Sequence, residues 1–262
     1  KFLEKPINKN NFIKHGIKII RKILNNSSKN NDGSILFFVP TLSDARMACK
    51  LMQKEEKKIT NKKINPFCTE LTATVSDDKK TLAIEPDEYK TLDNKSYNRK
   101  IVVATNVAES SITIKNLVHV IDSGYELNVE YDPQRNAEIV EKVNITKAQA
   151  TQRWGRVGRK SEGFVYNLYT KTEFDNFNEF PISNIKKENI TNIILNLSQQ
   201  LQVSDKKVSV SDIELILKEF IEIPDDVNIK IAFDILTSLK CIDNENNFTD
   251  ISLILQKFST TP

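Results

Sequence analysis

Apolar residues along this chain keep two rhythms. Phe12, Ile13, Ile17, Ile20 and Leu24 recur at the three-and-four spacing of a helix with one buried side, and the polar run NNSSKNNDG then breaks it. Residues 35–39, 101–104 and 117–121 are short unbroken apolar runs, the pattern of strands buried on both faces of a parallel sheet. After the first of them comes a helix over 42–52 with Ala45, Ala48, Leu51 and Met52 as its inner side. The lysine-rich stretch 54–63, interleaved with Glu55 and Glu56, reads as a solvated helix end. Residues 72–100 are polar and keep neither period.

Farther on, segments 125–131 and 137–143 flank the turn Asp132-Pro133-Gln134-Arg135-Asn136 and predict a β-hairpin. Thr146 caps the next helix, with Gln149 three residues on completing a capping box. Composition changes again near Pro181. Ile190, Ile193, Ile194 and Leu197 form one helical stripe, and Ile231, Ala232, Ile235, Leu236 and Leu239 form another behind the capping candidates Asp225 and Asp226. A turn at 244–247 separates two short extended pieces, and Asp250 opens a last helix through Phe258. The pattern predicts an α/β domain over 1–180, a parallel sheet flanked by helices with an inserted hairpin. A small, mostly helical winged-helix domain over 181–262 comes after it.

Chemistry concentrates in two segments. Gln149, Gln152, Arg156 and Arg159 fall at helical spacings of three and four and so share one face of the helix after Thr146, where two guanidinium forks one turn apart beside a glutamine suit a polyphosphate. Gly155 and Gly158 each cost about 1 kcal/mol relative to alanine inside a helix, which suits a surface that something approaches closely. Upstream, the runs at 101–104 and 117–121 enclose a loop of small polar residues. At the carboxyl ends of parallel strands Thr105, Asn106, Ser110, Ser111 and Thr113 would meet sugar and phosphate oxygens. The bland alternative is an exposed basic helix.

The strings ATNVAESSITI and QRWGRVGR together resemble motifs V and VI of superfamily 2 helicases, specifically the DEAH/DExH-box RNA helicases. SILFFVPTLSDARMACKLM, which includes Thr41, resembles motif IV, and the sequence after Phe180 resembles the family's degenerate winged helix. The resemblance implies a RecA-like fold for the first domain. It also implies ATP or another NTP with magnesium, the metal held mainly by a first RecA-like domain. Arg156 and Arg159 would act as arginine fingers on the γ-phosphate, with Gln152 orienting water or phosphate and Thr113 touching the ribose. Thr105, Thr41 and Asn106 would lie on the RNA backbone, while Glu109 and Ser110 support the loop internally. RNA, as a single strand or a duplex with a 3′ overhang, would be moved 3′ to 5′, with the hairpin as a wedge. Departures are Lys115, where the family places an acidic residue, and Ile84, where it places a stacking aromatic that Tyr89 could replace. Trp154 replaces a small or basic residue and reads as packed against a neighbouring domain. His15 and His119 read as structural.

What is absent also informs. None of the six glycines is followed by lysine, and no Asp-Glu-x-His string occurs, so the phosphate loop and magnesium box lie outside this sequence. The chain therefore reads as the second RecA-like domain and the one after it, without the first, and as inactive alone. A noncatalytic helicase-like module that binds RNA or protein is the alternative. Net charge is +3 with 28% charged residues, so nucleic-acid contact must come from local patches rather than a basic tail. Cys49, Cys68 and Cys241 lack metal spacing, which argues against a metal site and for a reducing, intracellular setting, cytoplasmic, nuclear or viral factory. No run is long and apolar enough to cross a bilayer, and no membrane partner is expected.

Overall fold

The first buried stripe closes onto a sheet. In the computed structural model, which describes residues 1–27, 33–92, 94–110, 112–158, 162–202 and 207–257, α1 (Phe12–Asn25) buries Phe12, Ile13, Ile17, Ile20 and Leu24 together with Gly16 and Ile23. A Cβ on Gly16 would stand 2.3 Å from the Phe37 ring, so glycine is what lets helix and sheet approach so closely. Strand β1 (Ser34–Phe38) is buried throughout. Helix α2 (Leu42–Glu55) turns Ala45, Ala48, Cys49 and Met52 inward. The lysine-rich stretch after it begins with a short exposed turn at Glu56–Lys58.

Residues 66–104, which take in the span that shows no period in sequence, form several small elements. These are β2 (Pro66–Leu71), α3 (Asp77–Ile84), the short ribbon of β3 (Thr91–Leu92) and β4 (Lys95–Ser96), and then β5 (Arg99–Ala104). Next come β6 (Leu117–Asp122), the ribbon of β7 (Tyr125–Asp132) and β8 (Ala137–Asn144), α4 (Lys147–Trp154), β9 (Phe164–Asn167) and α5 (Lys171–Asp175). The main sheet runs β2-β5-β1-β6-β9, each neighbouring pair parallel. Alternation along the strands divides the core. Ile35, Phe37, Ile101, Val103 and Ile121 pack toward α1 and α2, while Leu36, Phe38, Val102, Ala104 and Val120 pack with Ala83 of α3 and with Ala108 and Ile114 of the β5–β6 connection. Both faces are covered, as a parallel sheet requires.

Two expectations are corrected. The helix after Thr146 does not run on through Arg159: α4 ends at Trp154, and Gly158 adopts a left-handed φ of +78° that no helix can continue through. A Cβ at Gly158 would meet nothing within 4 Å, so backbone conformation rather than close approach explains that glycine. The second correction concerns the cysteines. Cys49 of α2 and Cys68 of β2 form a disulfide, their Cα atoms 5.5 Å apart, while Cys241 is free and buried. Nothing in the spacing marked the pair, because packing of α2 on the sheet brings them together.

By internal packing the chain divides into two units, residues 1–128 with 142–181 and residues 129–141 with 182–262. The second contains α6 (Asn184–Lys187), α7 (Thr191–Leu201), α8 (Val210–Lys218), α9 (Asp226–Ser238) and α10 (Asp250–Lys257). Its core gathers Ile190, Ile194, Leu195, Ile213, Leu217, Ala232, Leu236 and Phe248. Within the α9 stripe the burial is narrower than its period suggests, since Ile231 and Ile235 are half-buried and Leu239 is exposed at the helix end. An isolated antiparallel bridge pairs Ile242 with Phe248. Phe258, the expected end of the last helix, lies outside the described residues.

Candidate nucleotide and nucleic-acid site

Adjacent parallel strands bring three of the predicted residues to one end of the sheet. Phe38 and Ala104 are register partners, and Val39 donates to the Ala104 carbonyl at 2.8 Å, so the segments leaving β1 and β5 emerge side by side. Thr41 comes just after β1 and caps α2: its hydroxyl accepts from Asp44 N at 3.0 Å and donates to Asp44 Oδ2 at 2.6 Å. Asp44 in turn accepts from Lys142 Nζ of β8 at 2.8 Å. Thr105 and Asn106 come directly after β5. A tight turn forms there, Ala108 N donating to Thr105 O at 3.2 Å and Glu109 N to Asn106 O at 2.8 Å, which leaves Thr105 half-buried and Asn106 exposed.

From that turn the connection runs back across one face of the sheet to the start of β6. Ser110 is exposed on this path, and Ser111 lies outside the described residues. Ile114 is buried against Leu36 and Leu117, Lys115 N donates to the Ile84 carbonyl at 3.2 Å, and the Asn116 carbonyl accepts from Ser34 N. Thr113, exposed, therefore stands near the amino end of β6 rather than at the carboxyl ends with Thr105. There it meets the turn after α4. Arg156, half-buried, donates to the Ile112 carbonyl at 3.5 Å, and Arg156 and Thr113 line one small depression with Leu36, Ile112, Ile114 and Leu117. Gln152 is exposed on the last turn of α4, and its carbonyl accepts from Arg156 Nε at 3.5 Å. Arg159 lies outside the described residues.

Gln149 stands apart from Gln152, Arg156 and Thr113. Its side chain closes the capping box with Thr146 and donates to Glu126. Lys115 pairs with Glu85 at 2.6 Å. Tyr89 is buried against Phe67, ring centroids 5.8 Å apart, and so cannot replace the missing stacking aromatic at Ile84. Trp154 packs on Phe2 and Phe174 and donates from Nε1 to Asn167 Oδ1 at 2.9 Å, so it belongs to its own domain's aromatic cluster rather than to a neighbour's. His119 is buried and stacked on Phe164, a structural residue whose pKa burial pushes down to about 4, with Arg99 adding to the shift.

Arg153, which sequence reasoning passed over, is the most constrained charge in the site. Its side chain is 1% exposed. Nε donates to Glu109 Oε1 at 2.7 Å, Nη1 to Asp122 Oδ1 at 2.8 Å, and Nη1 and Nη2 both reach the Tyr125 carbonyl at 3.3 Å, while the guanidinium lies over the Phe38 ring. Asp122 also accepts from Tyr169 Oη at 2.8 Å and from Gly124 N at 2.9 Å. Burial pushes the Glu109 carboxyl above its ordinary pKa, with the Arg153 charge opposing the shift. Only nonlocal partners separate this arginine from Arg156. The sole local hint was Glu109, an acid set among small uncharged residues.

A wholly parallel five-stranded sheet covered by helices on both faces is a RecA-like fold, and an arginine-bearing turn is set against the loop that leaves its β5 strand. The helicase conserved C-terminal domain matches residues 15–161, more than half of the chain, and the chain belongs to that family. It is 32% identical over 261 residues to a putative ATP-dependent RNA helicase of Acanthamoeba polyphaga mimivirus, covering 100% of this chain and 35% of that protein. It is 28% identical over 245 residues to the DExH-box ATP-dependent RNA helicase DExH6 of Arabidopsis thaliana, covering 94% of this chain and 17% of the relative. Two solved structures of the E. coli helicase HrpB share the fold, with TM-scores of 0.71 and 0.73 at 20% and 22% identity. They cover 96% and 94% of this chain and 27% and 28% of theirs. The chain thus spans about a third or less of each relative. No described helix is long and apolar enough to cross a membrane.

Proposed function

We propose that this chain is the second half of an ATP-driven RNA helicase motor, residues 1–180 forming its second RecA-like domain and 181–262 a degenerate winged helix. A first RecA-like domain of the same protein supplies the phosphate loop and holds magnesium. Arg156 and Arg159 reach the γ-phosphate of ATP, where they oppose the negative charge that grows as the phosphoryl group transfers. Gln152, exposed on the last turn of α4, positions the attacking water, and Thr113 contacts the ribose. The observation that carries the reading is that Arg156 and Thr113, distant in sequence, line one depression.

The opposite end of the β5–β6 connection faces RNA. Thr105 and Asn106 sit where parallel strands present loops to ligands, and Thr41 is beside them. Because the Thr41 hydroxyl donates its one proton to Asp44, it offers a nucleic acid an acceptor. That suits a ribose 2′-hydroxyl better than a phosphate oxygen and favours RNA over DNA. Opening and closing of the interdomain cleft moves the strand 3′ to 5′, with the β7–β8 ribbon parting the duplex. The test is RNA-stimulated ATP hydrolysis by the protein carrying its upstream domain. Arg156→Ala is expected to lower the rate by on the order of a thousandfold, as for arginine fingers generally. Full activity in that variant removes the motor and leaves a noncatalytic binding module.

A further inference from the structure

The nucleotide-side and RNA-side residues lie at opposite ends of one connection, and a single residue, Arg153, touches both, one by its side chain and the other by its backbone. The Arg153 guanidinium holds Glu109, the last residue of the turn that begins at Thr105. Its own backbone carbonyl accepts from Arg156 N at 3.2 Å and so founds the turn that aims Arg156. Asp122 and the Tyr125 carbonyl fix the guanidinium in place, so displacement of one turn is resisted at the other through a few stiff, buried hydrogen bonds. Charge-assisted bonds of this kind are short and directional, and their burial excludes the water that would otherwise let each turn move alone.

Resting on the functional reading above, we propose that Arg153 is a positioning residue that couples nucleotide occupancy to RNA affinity, with Glu109 as the separable half of the link. Asp122 anchors Arg153 whether or not nucleic acid is present. Glu109 is the one partner that belongs to the RNA-side turn. Two carboxylates share one cation, so loss of Glu109 leaves Arg153 paired and the end of α4 in place, while freeing the 105–109 turn.

The coupling is read as the ratio of two dissociation constants for a fluorescently labelled oligouridine, measured with and without the non-hydrolysable analogue AMP-PNP plus magnesium, on the protein carrying its upstream domain. By linkage, a nucleotide that changes RNA affinity by some factor has its own affinity changed by RNA by the same factor, so the ratio measures the coupling between the two sites. Glu109→Ala is expected to collapse the ratio to within about twofold of unity, because the site at which the two turns are tied is gone. Glu109→Gln keeps an acceptor for Arg153 Nε and is expected to recover most of the ratio. If the alanine variant does not fold, Glu109→Asp takes its place, since it keeps the charge but shortens the reach by one methylene. A wild-type ratio retained by Glu109→Ala, or by Glu109→Asp in its stead, overturns this proposal alone. A wild-type protein whose RNA affinity ignores the nucleotide overturns the functional reading and this proposal with it.

Discussion

Arg153 and Arg156 stand three residues apart and have opposite fates. The first is buried among two carboxylates and a carbonyl, and the second is half-buried on a turn beside Thr113. In sequence both belong to one short basic string after Gln152, and the distinction comes from where α4 ends. His119 gives a residue-scale prediction that does not depend on function. Its folded pKa is about 4 against an ordinary 6.5, so the unfolded chain takes up the proton first. The stability it contributes is therefore complete above pH 6.5 and is lost as pH falls toward 4. The loss amounts to up to ~3 kcal/mol from the size of the shift. His119→Gln should flatten that part of the acid limb in urea unfolding measured between neutral pH and pH 4.5. An acid limb of unchanged slope would show that His119 is not the group involved.

Elements show more clearly what the sequence discloses. Helix α1, strands β1, β5 and β6, the β7–β8 ribbon and the Thr146 capping box all arise from local pattern: a helical period, unbroken apolar runs, a polar turn and a pair of cap residues. Capping predicts that Thr146→Ala costs about 1 kcal/mol of unfolding free energy, and a denaturation midpoint equal to wild type would show that the box is idle. Strands β2 and β9 were not legible. Each is an edge strand of the main sheet with partly exposed residues, so neither keeps an unbroken apolar run. The Cys49–Cys68 bond joins residues 19 apart whose spacing carries no motif. Closing a loop of that size stabilises by about 3 kcal/mol in the chain-entropy view. Reduction, or Cys68→Ser, should lower the unfolding free energy by about that much, and peptide mapping without reductant should recover the two cysteines as one linked species. Free thiols at both positions would contradict the bond.

At the scale of the molecule, the proposed division of labour rests on the long connection between β5 and β6. One end meets Thr41 at the carboxyl ends of the strands, and the other meets Arg156 near the start of β6. The sequence made the two motifs legible as strings, but not that they lie at opposite ends of a path tied midway by Glu109. Distance along the chain says nothing about which face of the sheet a loop crosses. On the proposed reading the chain holds only part of the fuel site, so by itself it should fold and show no ATP hydrolysis. Substantial hydrolysis by the isolated chain would mean that the phosphate machinery is here after all.

The most direct test of the central claim is single-turnover ATP hydrolysis, with saturating RNA, by the protein carrying its upstream domain, compared between wild type and Arg156→Ala. The account predicts a chemical step slowed by on the order of a thousandfold with a much smaller change in ATP affinity, the mark of a group that acts on the transition state. An unchanged chemical step would contradict it.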